Sequence, residues 1–337
     1  MRYYCTYSDI YYLSRFLALY RSIKNNCASF KIWVLSMDNI SYNILSKIHL
    51  NEVCPISLED FESKDEELKK TKNNRSIIEY YFTCTPSLPL YIMNHNPDVK
   101  LLTYLDADVF FFSDPTPIYD EIAENSIAII PHRFPAKLYE KEKWGHFNVG
   151  WISFKSDSNS ITCLHWWRDR CLEWCYDRYE NGLFADQKYL DQWPHLFKGI
   201  IILQHKGANL APWNIENYNY CIKDEKIWVD EQPLIFFHFH GIYQINKWII
   251  NSGFKDYQAR LPLILRYNIF KPYIIAIMEE NKKIAPFIRF DTIVGKKKRQ
   301  KKENILLSYN YALKNVMDIC KQTLAGNYLF INNNKVI

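Results

Sequence analysis

Two aspartates interrupt an apolar run at residues 101–112. The run is typical of a buried strand, and Asp106 and Asp108 lie near its middle. Since burying an unpaired carboxylate is unfavourable, we expect both to pair with a cation or to lie at a strand end that faces a cleft. Their spacing places both side chains on one face of an extended chain. Adjacent oxygen ligands suit Mg²⁺ or Mn²⁺, especially beside a phosphate; two solvated acids in a turn are the alternative.

Further polar residues occur where predicted strands and helices begin or end. Asn148 and Gly150 lie near the start of a strand pattern, where a glycine marks either a close approach of backbone or ligand or a simple bulge. Asp186 precedes a short helical pattern and is either an N-cap or a site residue. An apolar strand pattern ends at His238 and His240. A single histidine there would be a core residue, but two of them in a chain with an acid pair favour metal ligands.

The composition is that of a globular protein with a substantial core. Of the 337 residues, 48% are hydrophobic and 23% are charged, so the length predicts about two domains or one large α/β domain. The nine cysteines form no CxxC pair, which favours reduced thiols and a cytoplasmic location. The sequence shows no apolar leader and no apolar stretch of about 18 residues. We therefore expect neither export by a visible signal nor a membrane-spanning segment.

Strand and helix patterns alternate from the start of the chain. Predicted strands cover residues 2–7, 31–37, 53–57, 126–131, 147–154, 199–204 and 233–241. Predicted helices comprise one that follows Asp9 as its N-cap, residues 41–50, a charged stretch at 59–70, and residues 77–93 with a bend near Pro86 and Pro89. The β-α-β order predicts an α/β fold with a doubly wound, mostly parallel sheet. Ligands of such sheets bind outside the carboxyl ends of the strands, where Asp106 and Asp108 fall.

Five short motifs follow one another in an order that resembles a known enzyme family. They are Tyr-Leu-Asp-Ala-Asp at 104–108, Phe-Asn-Val-Gly at 147–150, Asp-Gln at 186–187, Pro-Trp-Asn at 212–214 and His-Phe-His-Gly at 238–241. Over roughly residues 1–250 the chain resembles nucleotide-sugar-dependent glycosyltransferases of the GT-A fold. It is most similar in pattern to glycosyltransferase family eight, the glycogenin and bacterial galactosyltransferase group. The resemblance implies a Rossmann-like, mixed and mostly parallel sheet flanked by helices.

The resemblance also implies roles for individual residues. The metal ligands would be Asp106, Asp108 and His238, with His240 as the alternative imidazole. The residues at the reacting sugar carbon would be Asp186 and Gln187. The other donor contacts would be Thr6, Tyr7, Arg75, Asp106, Asn148, Gly150, Trp213 and Asn214. The family's Lys-Pro-Trp, which closely follows its histidine motif, has no match, since Lys247 and Trp248 come later and without proline.

These roles predict a metal-dependent transfer of a hexose from a nucleotide-sugar, a UDP-sugar above all, to a glycan or lipid-linked acceptor. A metal held by two carboxylates and an imidazole would bind the departing diphosphate, and the nitrogen ligand favours Mn²⁺ over Mg²⁺. The family match implies retention of anomeric configuration, with inversion as the alternative. We also expect a place in bacterial surface polysaccharide synthesis and no nucleic acid partner. The alternatives are a nucleotidyltransferase and a non-catalytic carbohydrate-binding homologue. Residues 6–12 lack the glycine-rich loop of the former.

The chain beyond the resemblance predicts a separate C-terminal segment. We predict a catalytic domain over residues 1–260 and a helical, basic appendage over residues 261–337. Six of the seven residues at 296–302 are basic. Such a cluster is attracted to anionic lipid headgroups, which predicts peripheral binding at the inner face of a membrane. The alternative is a solvated charged loop.

Overall fold

A computed structural model of the chain describes residues 1–287, 321–332 and 335–336. The strands are β1 (Arg2–Ser8), β2 (Phe30–Ser36), β3 (Val53–Ser57), β4 (Leu101–Leu105), β5 (Val109–Phe111), β6 (Ile127–Pro131), β7 (Phe147–Lys155), β8 (Ile200–Ile202), β9 (Tyr220–Lys223), β10 (Lys226–Val229), β11 (Gln232–Pro233), β12 (Phe236–His238), β13 (Tyr243–Asn246), β14 (Ile249–Asn251), β15 (Tyr328–Asn332) and β16 (Lys335–Val336). The α-helices are α1 (Leu13–Asn26), α2 (Asn39–Ile48), α3 (Leu58–Ser63), α4 (Glu66–Thr71), α5 (Ile77–His95), α6 (Thr116–Ile122), α7 (Ser158–Glu173), α8 (Trp193–Leu196), α9 (Leu263–Leu265) and α10 (Lys271–Ile284).

A seven-stranded sheet in the order β3-β2-β1-β4-β7-β6-β8 forms the centre of the fold. β1 pairs in parallel with β2 and β4, β2 pairs in parallel with β3, and β6 with β8. Only β7 runs against its neighbours β4 and β6. The predicted α/β class with a mixed, mostly parallel sheet is therefore confirmed.

Helices pack on both faces of this sheet, because successive side chains of a strand point to opposite faces. Cys5 and Trp33 belong to a core cluster with residues of α5 and α7. Their neighbours Tyr4 and Ile32 belong to a second cluster, which includes residues of α1 and α2. Both faces of the sheet are thus covered by helices. A ligand site can therefore form only at an edge such as the one at the carboxyl ends of the parallel strands.

Two predicted elements are each divided into two in the structure. The run at 101–112 is two strands, since the chain turns at Asp106 and the Val109 amide donates to the Asp106 carbonyl (3.2 Å). The predicted helix at 59–70 is two short helices, because Asp65 accepts from the Leu68 amide (3.0 Å) and begins α4. The predictions of one strand and of one helix were therefore wrong.

Two further helices differ in detail. Asp9 is not the N-cap of the first helix: α1 begins at Leu13, and the Asp9 carboxylate accepts from the Tyr12 amide (2.9 Å) in the preceding turn. Helix α5 continues through Pro86 and Pro89 to its end at His95. Asp9 therefore stabilises the turn that leads from β1 into α1.

The described part of the C-terminal segment packs on the sheet domain. Residues 266–270 form a π-helical turn that continues into α10, and β15 pairs antiparallel with β14. Leu265 and Tyr273 share a core cluster with Ala18, Leu210 and Phe237 of the preceding chain. Among the described residues, none of the helices combines the length and apolarity that crossing a bilayer requires. The basic run at 296–302 lies outside the described residues, and the domain boundary at 260 stays a prediction.

Leu265 and Leu263 provide a matched test of this packing. Leu265 is fully buried, whereas Leu263 is 66% exposed. We expect Leu265→Ala to lower the free energy of unfolding by about 2–5 kcal/mol within a single cooperative transition. Leu263→Ala should change it by less than about 0.5 kcal/mol. Chemical denaturation measures both, and a Leu265→Ala variant with wild-type stability would mean that this segment does not pack as described.

Candidate functional site

The two aspartates lie in a turn at the carboxyl end of β4, in the centre of the sheet. β5 follows this turn and pairs antiparallel with β12, in a register that sets Val109 opposite His238. The Phe239 amide donates to the Asp108 carbonyl (2.9 Å), which holds the end of β12 against the turn. His238, which follows Asp108 by 130 positions in the chain, is thereby brought beside Asp108.

Asp106, Asp108 and His238 form a cluster in which one ligand atom from each lies within 4.8 Å of the others. His238 Nε2 lies 3.2 Å from Asp108 Oδ1 and 3.5 Å from Asp106 Oδ2. In the part of the chain that the structure describes, this is the only such group of potential metal ligands. Two carboxylates and an imidazole fit a divalent ion such as Mn²⁺ or Mg²⁺.

Asn148 orients the histidine of this cluster. Its Oδ1 accepts a hydrogen bond from His238 Nδ1 (3.1 Å), which leaves Nε2 directed at the carboxylates. Its Nδ2 donates to Gln187 Oε1 (3.2 Å) and to His132 Nε2 (3.4 Å). An outer hydrogen bond of this kind fixes the tautomer of a metal-binding imidazole. Asn148 therefore orients one side chain of this cluster of potential metal ligands besides lining the cleft.

Gly150 brings the backbone of β7 against this cluster. The pairing of β7 with β6 shifts register between Ile129 and Ile130, so the strand bulges around Gly150. The Gly150 amide donates to Asn148 Oδ1 (3.0 Å), and its carbonyl accepts from the Asp106 amide (3.3 Å). Gly150 therefore lies in a bulge and also allows a close approach of the backbone, so both predicted explanations of this glycine are confirmed.

Gly150→Ala is expected to damage the cluster. A Cβ at this position would lie 2.6 Å from Asn148 Oδ1 and 2.6 Å from His238 Nδ1, so both side chains would have to shift. Since loss of an outer-shell partner typically weakens metal binding by about 10- to 100-fold, we expect a loss of that size in a Mn²⁺ titration. Gly182→Ala is the control: its left-handed backbone (φ +79°) makes the substitution cost some stability, but nothing lies within 4 Å of the added Cβ, so it should bind Mn²⁺ as the wild type does. Equal affinity in the Gly150 variant would contradict the described contact.

The three groups of the cluster shift one another's pKa values. Burial raises the pKa of Asp106 to about 6, with His238 opposing this rise and Asp108 adding to it. Burial disfavours ionised Asp108 as well, but His238 and Arg15 outweigh it and hold the Asp108 pKa well below its usual range. Asp108 also raises the pKa of His238 against the effect of burial. A divalent cation would compete with protons for these groups, so metal binding should strengthen as the pH rises.

Asp186 and Gln187 line the same cavity, which has a volume of about 400 Å³. Asp186 precedes a 3-10 helix at Gln187–Gln192, but its side chain does not cap it. Burial raises the pKa of Asp186 to about 7, with a hydrogen bond from Thr85 opposing this rise and Asp106 adding to it. Gln187 Nε2 donates to the Trp144 carbonyl (3.1 Å). Asp186 thus holds the N-cap position without a cap hydrogen bond from its side chain, and its role at the reacting carbon stays a prediction.

Tyrosine side chains lie beside the Asp106 carboxylate. Tyr104 donates to Asp106 Oδ1 (3.0 Å), and the ring of Tyr7 lies 6.0 Å from that of Tyr104. Tyr104 of β4 thus holds the Asp106 carboxylate, and Tyr7 of β1 packs against Tyr104.

The structure brings together most of the residues proposed for the site from the sequence. Those that line the cavity are Tyr7, Asp106, Asn148, Asp186, Gln187, Trp213, His238 and His240. Asp108 and Gly150 lie directly behind them, in contact with His238. The ring of His240 lies 6.1 Å from that of His238, and His240 is not part of the described ligand cluster. Its role as alternative ligand stays a prediction.

Besides Gly150, three residues proposed as donor contacts do not line the cavity. Thr6 is fully buried within β1. Arg75 donates to the Leu172 carbonyl (3.2 Å) and packs over the ring of Tyr176. Asn214 is fully buried and holds the backbone around it, donating to the carbonyls of His132 and Asn209 (both 2.9 Å). A contact of Thr6, Arg75 or Asn214 with a donor stays a prediction.

Sequence patterns did not point to other residues of the cavity. His132 directly follows the predicted strand at 126–131, and that position was a usable signal. Lys141 and Trp144 belong to a 3-10 helix at Ala136–Trp144, and Tyr257 belongs to another at Phe254–Tyr257. Such short helices have no recurring apolar pattern, so nothing in the sequence singles these residues out.

The fold and the cluster define an α/β protein with a candidate metal site at the carboxyl end of its central sheet. No protein-family profile matches the chain. The uncharacterized protein YfnD of Bacillus subtilis is 32% identical over 239 residues, which is 70% of this chain and 76% of YfnD. The uncharacterized protein YfnF of the same organism is 32% identical over 287 residues, or 82% of this chain and 93% of YfnF. The chain belongs to the family of YfnD and YfnF.

The similar solved structures have lower sequence identity to this chain than YfnD and YfnF do. The glycosyltransferase GlyE of Streptococcus pneumoniae has 17% identity and a TM-score of 0.41, over 62% of this chain and 46% of GlyE. Mouse xyloside xylosyltransferase 1 has 10% identity and a TM-score of 0.47, over 71% of this chain and 98% of its own. The bifunctional WbbM has 16% identity and a TM-score of 0.41, over 64% of this chain and 40% of WbbM.

Proposed function

We propose that the protein is a metal-dependent glycosyltransferase that moves a sugar from a nucleotide-sugar to an acceptor hydroxyl. The observation that carries the proposal is the convergence of Asp106, Asp108 and His238 beside a cavity that Asp186 and Gln187 also line. Pockets with a few convergent polar groups and perturbed pKa values are typical of active sites. The order of the five sequence motifs supports the same reaction.

Each residue has a distinct part in this proposal. Asp106, Asp108 and His238 would hold the divalent metal, which supplies Lewis-acid stabilisation to a departing diphosphate. Asn148 keeps His238 Nδ1 protonated and its Nε2 available. Asp186, with its carboxylate facing the cavity, would orient sugar hydroxyls and stabilise the positive charge that develops at the anomeric carbon.

The finer parts of the proposal rest on the sequence motifs. We propose a UDP-hexose as donor, Mn²⁺ as the metal, retention of anomeric configuration, and a glycan or lipid-linked acceptor in bacterial surface polysaccharide synthesis. Cytoplasmic location, with attraction of the basic run at 296–302 to an anionic membrane, belongs to the same proposal. The Bacillus relatives are consistent with a bacterial setting.

A thermal-unfolding screen tests the function. The protein is mixed with UDP-, GDP-, ADP- and CMP-sugars, each with and without Mn²⁺. A ligand that binds only the native state and is present at 100 times its Kd stabilises by about 2.7 kcal/mol, so the correct donor should raise the midpoint by several degrees. We expect this rise with Mn²⁺ and a much smaller one after chelation. Failure of every nucleotide-sugar to stabilise the protein in Mn²⁺ would contradict the proposal.

A further inference from the structure

The candidate cleft contains several carboxylates and few cations. Asp106, Asp177 and Asp186 line it, whereas Lys141 is the only lysine or arginine among its described lining residues. The two carboxylates of the metal cluster would cancel the charge of a divalent ion. A nucleoside diphosphate bound there would then bring several uncompensated negative charges into a partly buried site, where charges interact more strongly than in water.

Lys141 is placed to supply the missing positive charge. Its Nζ lies 4.9 Å from the ring centroid of Trp144 and 5.3 Å from that of Tyr257, so the ammonium group stands between two aromatic side chains. Lys137 of the same short helix pairs with Glu216, but none of the ion pairs among the described residues involves Lys141. Its charge is therefore available to a ligand.

An aromatic wall connects Lys141 with the metal cluster. The ring of Tyr257 lies 5.7 Å from that of Trp213, and the ring of Trp213 lies 5.1 Å from that of His238. A diphosphate whose oxygens bind the metal would extend along this wall. Arg15, the other cation near the cluster, is buried and donates to the Ile242 carbonyl (2.8 Å), outside the cavity lining.

We propose that Lys141 binds the diphosphate leaving group and is a further catalytic residue; this rests on the proposed function. When the bond between the anomeric carbon and the diphosphate oxygen breaks, its electron pair stays with that oxygen. The acceptor oxygen forms the new bond to the anomeric carbon, and its proton passes to the departing phosphate. The ammonium group of Lys141 stays protonated throughout and stabilises the negative charge as it develops.

The lysine that follows the histidine motif in the sequence does not fill this role. Lys247 lies in the turn between β13 and β14, exposed to solvent, where its Nζ is 4.3 Å from the ring centroid of Trp248. It does not line the cavity. In this proposal the cation is instead Lys141, which belongs to the 3-10 helix at Ala136–Trp144 and precedes the histidine motif in the chain.

Four lysine variants test the proposal by calorimetric titration of UDP, GDP, ADP and uridine in Mn²⁺. Lys141→Gln removes the positive charge that would form a charge-assisted hydrogen bond with the diphosphate. We therefore expect it to weaken binding of the preferred diphosphate by about 10- to 100-fold. Uridine, which has no phosphate, should bind with unchanged affinity. Lys143→Gln is the matched control, since Lys143 is exposed on the same helix, 4.6 Å from the Trp144 ring centroid. It and Lys247→Gln should stay within about twofold of the wild type.

The outcomes separate this inference from the function on which it rests. Wild-type protein that binds a diphosphate in Mn²⁺, with Lys141→Gln within twofold of it, would overturn the role of Lys141 alone. So would an equal loss of uridine affinity, which would indicate a packing defect. Wild-type protein that binds none of the three diphosphates would overturn both proposals. Lys141→Arg, which keeps the charge, should restore most of the diphosphate affinity.

Discussion

Asp108→Asn should abolish Mn²⁺-dependent donor binding, with a loss of metal affinity of at least about 100-fold. Loss of an outer-shell partner alone typically weakens metal sites by about 10- to 100-fold, and Asp108 is one of the ligands themselves. His238 Nε2 lies 3.2 Å from Asp108 Oδ1, so the carboxylate holds the imidazole as well as the proposed ion. Calorimetric titration with Mn²⁺, with and without UDP, measures the loss.

The fold should survive this change. Asparagine has nearly the volume of aspartate, and the Phe239 amide donates to the backbone carbonyl of Asp108 and not to its side chain. We therefore expect a far-UV spectrum like that of the wild type and a cooperative transition. Asp98→Asn, at an exposed position, is the control for loss of an acid and should bind Mn²⁺ normally. Normal Mn²⁺ affinity in the Asp108 variant would remove this residue from the site.

Asp186→Asn should lower the transfer rate by about 10²- to 10³-fold, the usual cost of one preorganised electrostatic group at a reacting centre. Metal and diphosphate affinities should change little, because Asp186 belongs neither to the metal cluster nor to the proposed phosphate contacts. Asp177→Asn, at an exposed acid of the same cavity, tests whether charge alone matters and should lose much less activity. Equal losses in both variants would contradict a specific role for Asp186.

The pH dependence gives a second readout for Asp186. Burial raises its pKa to about 7, above the value near 4 of an unfolded aspartate, so the native state binds the extra proton between these values. The contribution of this carboxyl to stability is therefore present at low pH and falls as the pH rises toward 7. Activity needs the ionised form and should rise over the same window. Asp186→Asn should remove the activity change near pH 7 and make the free protein more stable at pH 8.

The architecture could be predicted from the sequence because it follows from local patterns. Val53–Ser57 was predicted with its bounds, and β1 and β2 to within one residue at either end, since apolar strands between helices leave few alternatives. The same patterns misplaced the ends of elements where one polar side chain decides. Asp65 begins a new helix within a charged stretch, and Asp106 ends β4 within an apolar run.

The candidate site could be predicted only where motif residues face the cleft. Asp106 and His238 face the cleft because β5 and β12 pair, and each of these residues belongs to a recognisable sequence motif. The placement of Lys141 and Tyr257 at the cavity depends on contacts between segments distant in sequence. The spacing of residues along the chain does not reveal such contacts, so these two residues were identified only from the structure.

Anomalous diffraction from crystals grown with Mn²⁺ and UDP tests the central claim most directly. The site predicts one strong manganese peak within coordination distance of Asp106, Asp108 and His238 Nε2, with the diphosphate of UDP bound to the same ion. The contradicting result is a manganese peak elsewhere, with no density between these three side chains, in crystals soaked at a concentration that saturates binding in solution.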